Sequence, residues 1–320
     1  MKKIFIVLAA AGTLSIVAMA GCGNNTSSGA YTVGNNPYGI AIAQNGFIWV
    51  ANYGSGNITA FASGGSPYTY TVGSNPFGVA IDKSGNVWVT NYGSSSVSEL
   101  LYGSSGTPST FNININPRGI AIDASGYIWM TNYNSNAVIK LNPTNGSVVG
   151  TYTVGKYPNG IAIDSAGYVW VTNYGDNTVT ELTPTGTTIG TYGVGASPYG
   201  IAIDKSGNAW VTNFGGNNVT VLSPTGATIG TFGAGYSPTS IAIDSGGYAW
   251  VADSGNSSVT VLSPTGTTTK TYSVGNTPMG IAIDGSGNLW VSNSGSNTVT
   301  LITSAAKGPQ YFPYTGPQWP

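Results

Sequence analysis

Residues 158–173 read PNGIAIDSAGYVWVTN, and this stretch decides the fold. Gly160–Asp164 is a short apolar run of strand type, Ser165, Ala166 and Gly167 supply a turn, and Tyr168–Asn173 is a second strand. Outward from it, Tyr174–Asn177 turns the chain and Thr178–Leu182 is a third strand. Thr183-Pro184-Thr185-Gly186 breaks that strand, and Ile189–Val194 is a fourth. Short runs of β-branched residues separated by Gly, Asn and Pro read as all-β. No long segment has the 3.6-residue period of a helix.

The unit recurs along the chain. Trp49, Trp88, Trp129, Trp170, Trp210, Trp250 and Trp290 follow one another at steps of 39, 41, 41, 40, 40 and 40 residues. A period near forty with four strands in each unit predicts a seven-bladed β-propeller of four-stranded blades. One Trp per blade is expected in the wedge between blades, where burying about 200 Å² contributes up to about 5 kcal/mol. An outer-strand signature, Y-T-V-G or a variant, begins at Tyr31, Tyr70, Phe111, Tyr152, Tyr192, Phe232 and Tyr272. Its first copy precedes the first inner strand, whereas the last unit, Gly280–Thr303, has three strands and no clear fourth. Tyr31–Val33 is therefore expected to join the last blade and close the ring, hiding two sheet edges. The alternative source of that strand is the non-repeating, Pro- and aromatic-rich tail.

Composition agrees with a packed all-β chain. Hydrophobic residues make up 41%, which excludes disorder, and the 48 glycines have no triplet period, which excludes collagen. Only 6% of residues are charged, and the net charge of -1 offers nucleic acid no basic footprint. Residues 1–21 read as a lipoprotein signal peptide: Lys2 and Lys3, then apolar Ile4–Ala20, then Met19-Ala20-Gly21-Cys22. That quartet resembles a bacterial lipobox, with Met19 where Leu is usual. The resemblance implies cleavage before Cys22 and lipid attachment to it, the alternative being an ordinary secretory signal. Residues 22–30 then hold the lipidated Cys and a flexible tether. Residues 31–304 form the propeller and 305–320 the tail. The expected location is the bacterial cell envelope, outside the cytoplasm and held to the membrane through Cys22, or else secreted.

Residues that read alike in every blade belong to the scaffold. Asp82, Asp123, Asp164, Asp204, Asp244 and Asp284 each stand three residues before a Gly, as turn-closing carboxylates do. Asn52, Asn91, Asn132, Asn173, Asn213, Asp253 and Asn293 end the second strands. The better site candidates vary at fixed positions. One is x in P-x-G: Tyr38, Phe77, Arg118, Asn159, Tyr199, Thr239 and Met279. The other follows the strand-ending Asn or Asp: Tyr53, Tyr92, Tyr133, Tyr174 and Phe214, then Ser254 and Ser294. Both sets are expected on one face, ringing the channel mouth, with aromatics on five blades and none on blades six and seven. Arg118 is the only arginine, a guanidinium suited to an anion or carbonyl. The surrounding rings are suited to stacking on a sugar, a peptide or a planar ligand.

The repeats resemble two related propeller families. P-x-G-I and G-x-x-W-V are similar to the NHL-repeat and virginiamycin B lyase group. Trp170-Val171-Thr172-Asn173 and Thr178-Val179-Thr180 are similar to the YVTN repeat of microbial surface proteins. The lyase resemblance implies metal-dependent ring opening with a catalytic histidine and a Glu where this chain has its strand-ending Asn. The chain has no histidine, and its only glutamates, Glu99 and Glu181, lie in third strands. No catalytic residue is therefore assigned, and no cofactor is expected, with Ca²⁺ left open because Asp and Asn abound. The leading expectation is a non-catalytic binding or scaffold module for a peptide, glycan or protein. The alternatives are a metal-dependent lyase or lactonase-type hydrolase, and a structural envelope protein.

Overall fold

The computed structural model describes residues 28–103 and 106–303, and within them 28 strands, β1–β28 in chain order, form seven four-stranded antiparallel sheets. The signal peptide, Cys22 and the tail lie outside the described residues. The blade around Trp170 consists of β14 (Pro158–Ile163), β15 (Val169–Asn173), β16 (Thr178–Leu182) and β17 (Thr188–Gly193), in that order from the channel outward. β16 has the expected bounds, and the other three strands depart from the sequence expectation by one or two residues at their ends. The first begins at Pro158 because Pro158 already faces Asn173, with a register shift before Ile161.

The ring closes with the N-terminal strand. β1 (Ser28–Thr32) pairs antiparallel with β28 (Thr298–Ile302), outside β27 (Leu289–Asn293) and β26 (Pro278–Ile283). The closing strand thus starts three residues earlier than Tyr31. Tyr31 stacks on Phe61 of the first blade at 5.1 Å and meets Trp290 of the last at 5.4 Å, so one side chain joins both ends of the ring.

The core lies between blades. Trp129 and Val138 of the third blade pack against Val169, Val171 and Leu182 of the fourth, and the same arrangement repeats round the ring to Trp290 against Ile48, Val50 and Phe61. Six of the seven tryptophans are fully buried. Each Trp meets the aromatic residue of its own outer strand, as Trp129 does Tyr152 at 5.3 Å and Trp170 does Tyr192 at 5.9 Å. The Asp turn is tied to the same Trp. Asp204 Oδ1 accepts the Ser206 and Asn208 amides, and Oδ2 accepts the Trp210 indole N–H at 3.0 Å. Burial opposes ionisation of Asp204, but these donors outweigh it and hold its pKa below the usual value. Blade one has Ala43 in place of this Asp, and its Trp49 is only half-buried.

At six of the seven blades adjacent inner strands approach so closely that Gly is required, as a Cβ on Gly160 would stand 2.4 Å from the Tyr199 carbonyl oxygen; the sixth blade has Ser240 there. The Thr of the W-V-T-N motif spans this junction. Thr172 Oγ1 accepts the Gly160 amide at 2.8 Å and donates to the Tyr199 carbonyl of the next blade at 2.9 Å. Thr90, Thr131, Thr212 and Ser292 repeat the pair of bonds. The sixth blade has Ala252 instead. There the hydroxyl comes from Thr239, which donates to the Ala252 and Pro278 carbonyls.

Candidate functional site at the channel mouth

Inner strands all begin on the face where second strands end, so the P-x-G residues and the residues after the strand-ending Asn share that face. The inner strands enclose a cavity of about 180 Å³ on the channel axis, reached by all seven blades and lined in part by Tyr38, Phe77, Asn159, Tyr199 and Met279, whereas Arg118, Thr239 and the residues after the strand-ending Asn or Asp stand outside its lining. This is smaller than the roughly 300 Å³ at which pockets begin to enclose a drug-sized ligand. One ring, one sugar or one peptide end fits it.

Arg118 stands over three rings from two blades, the second and its own third. Its Cζ lies 3.4 Å from the Tyr133 ring centroid, 5.0 Å from Tyr92 and 5.2 Å from Phe77. Nη1 donates to Asn159 Oδ1 at 3.2 Å, while the buried Nε has no hydrogen-bond partner. The two ion pairs among the described residues, Lys140–Asp123 and Lys156–Asp176, leave Arg118 without a carboxylate. Asn159, buried, links the guanidinium to the cavity and donates Nδ2 to the Tyr199 carbonyl at 3.1 Å.

The other candidates extend this group into an arc. Tyr38 meets Tyr53 at 5.0 Å and Phe77 at 5.1 Å, and Tyr199 and Tyr174 both meet Phe214, at 6.1 and 6.4 Å. Burial raises the pKa of Tyr199, with Tyr38 adding to it and Arg118 and the Asn159 hydrogen bond opposing. Burial likewise raises that of Tyr38. Both phenols are therefore neutral hydroxyls at physiological pH. Met279 reaches the cavity, but Ser254, Ser294 and the buried Thr239 bring no ring, so the arc stops at blades six and seven. Sequence reasoning missed Tyr157, which meets Tyr133 at 5.2 Å. It precedes the P-x-G frame, and its aromatic type within that loop was the available signal.

The carboxylates lie elsewhere. Glu181 is buried in β16, where Oε2 accepts the Tyr192 hydroxyl at 2.8 Å; burial raises its pKa, the Tyr192 bond opposes and Asp164 adds. Asp253 replaces the strand-ending Asn of its blade. It accepts the Thr260 hydroxyl at 2.6 Å and the Gly235 amide at 3.0 Å, and burial pushes its pKa up to about 6. Among the described residues no group of three or more His, Cys, Asp or Glu is placed to hold a metal ion. The side-chain donors at the mouth are neutral amides and hydroxyls, a set that does not fit the divalent ion implied by a lyase mechanism.

Comparison with known proteins agrees with the architecture. A streptogramin B lyase structure superposes with a TM-score of 0.80 at 20% identity, covering 87% of this chain and 98% of that one. A catalytically inactive histidine-to-alanine variant of virginiamycin B lyase from Staphylococcus aureus, solved with quinupristin, superposes at 0.79 and 20%, covering 87% and 99%. Hydrazine synthase from Kuenenia stuttgartiensis superposes at 0.76 and 16%, covering 85% and 96%. At these identities the likeness is one of fold. No curated protein sequence matches significantly. The model of one family matches residues 27–301, nearly all of the ring, and on that ground the chain belongs to the virginiamycin B lyase family.

Proposed function

We propose that this propeller is a non-catalytic binding module, lipid-anchored outside the cytoplasm, whose mouth captures a peptide, glycan or protein through one inserted group. The observation that carries the reading is Arg118: a guanidinium among three rings, with an unpartnered Nε and no carboxylate. A carboxylate or carbonyl oxygen presented beside a flat apolar face would meet both its charge and the rings. The missing histidine argues against inheriting the lyase chemistry of the family.

Peptide and glycan arrays probed with residues 24–320 test this. Binding that falls at least tenfold in Arg118→Ala, with the thermal midpoint retained, is the expected result. Turnover of quinupristin that requires Mg²⁺ and stops with EDTA would replace it with the lyase reading.

A further inference from the structure

We infer that the face opposite the mouth rests on the lipid bilayer, so that the Arg118 mouth points away from the membrane. The inference rests on the lipid-anchor reading and adds an orientation to it. β1 runs from the opposite face toward the mouth: Ser28 pairs with Ile302 at the far end of β28, and Thr32 with Thr298 beside the mouth. The chain therefore enters on the opposite face. Cys22 precedes Ser28 by six residues, and six residues span at most about 20 Å. An anchor at Cys22 holds that face close to the membrane.

The same half of the molecule carries the exposed apolar side chains. Of nine large hydrophobics exposed among the described residues, seven lie there: Tyr68, Leu101, Tyr102, Val148, Val149, Ile189 and Ile229. They occupy the outer edges of blades one to five, where third strands end and outer strands begin. Tyr157 and Tyr236 are the two on the mouth side. The corresponding residue of blade six is Thr269. Lysines on this half are engaged: Lys83 and Lys205 donate to the Ala124 and Ser245 carbonyls, Lys140 pairs with Asp123, and Lys270 lies 4.5 Å from the Tyr272 ring centroid. Six half-buried turn carboxylates, Asp82 and its repeats to Asp284, lie on this half as well, so contact with lipid would be made by the apolar side chains and not by free cations. Single exposed apolar residues are ordinary on protein surfaces; their gathering at the end where the anchor enters is what assigns this face.

The test separates the anchor from the orientation. Incorporation of labelled fatty acid into the full-length chain, lost in Cys22→Ser, reports the anchor alone. For the orientation, a Cys22→Ser chain carrying an N-terminal hexahistidine tag at residue 22 is tethered to phosphatidylcholine vesicles containing nickel-chelating and brominated lipids. A fluorophore is placed at Ala227→Cys, in an exposed turn of the opposite face, or at Ala196→Cys, in an exposed mouth loop. We expect loss of fluorescence at 227 and none at 196, unchanged by salt. The combined variant Val149→Thr, Ile189→Thr, Ile229→Thr keeps the residue type that blade six already uses, and in it the quenching at 227 should weaken. Equal quenching at both labels, or quenching at 196 in place of 227, would overturn the inference.

Discussion

At the scale of a residue, Asp253 shows how one substitution within a repeat changes a physical property. Five of the other six blades place an Asn Nδ2 against two side-chain oxygens of the third strand, as Asn173 does with Thr178 and Thr180. Asp253 accepts from Ser258 and Thr260 instead and carries a buried carboxyl whose pKa is about 6 rather than 3.8. A carboxyl raised on folding takes up a proton that the unfolded chain has released, so its contribution to stability is full below about pH 4 and lost as pH rises through 6. The loss amounts to at most about 3 kcal/mol. Asp253→Asn should therefore raise the thermal midpoint at pH 7.5 and flatten the stability profile between pH 4 and 7. An unchanged profile would place the pH dependence in another group.

At the scale of the element, the inter-blade hydroxyl explains the Thr of W-V-T-N. Thr172→Val preserves shape but leaves the Gly160 amide and the Tyr199 carbonyl without that partner, a cost of about 1–3 kcal/mol. Urea unfolding should show it as a lower midpoint with an unchanged slope. The first blade has Ala51 at this position, fully buried. Ala51→Thr should supply the missing bridge to the Phe77 carbonyl and gain about 1 kcal/mol. A loss instead would mean that the first junction has closed too tightly for a hydroxyl.

At the scale of the whole molecule, stability depends on closure. Interfaces between blades pass a continuous core round the ring, and the last depends on five residues at the N-terminal end of the described chain. Starting the chain at Val33 would expose the edge of β28 and remove Tyr31 from Trp290 and Phe61. The expected outcome is a lower, broader thermal transition and edge-to-edge association visible by size-exclusion chromatography. Tyr31→Ala, which retains the strand, should show the first effect without the second.

Blade number, strand order and closure were legible in the sequence because each follows from a local pattern: Trp170 and its repeats set the period, Pro and Gly mark the turns, and Tyr31 stands where an outer strand is missing at the other end. The turn role of the Asp series was legible too, from its spacing to Gly. The candidate mouth residues were legible as positions, since they vary inside a fixed frame, but not as contacts. That Arg118 lies over Tyr133, Tyr92 and Phe77, or that Thr172 bonds to the Tyr199 carbonyl, depends on the separation of neighbouring blades. Sequence spacing does not contain that distance. It arises when seven similar wedges must share one axis, and only then do residues 41 apart, such as Arg118 and Asn159, come within hydrogen-bonding reach.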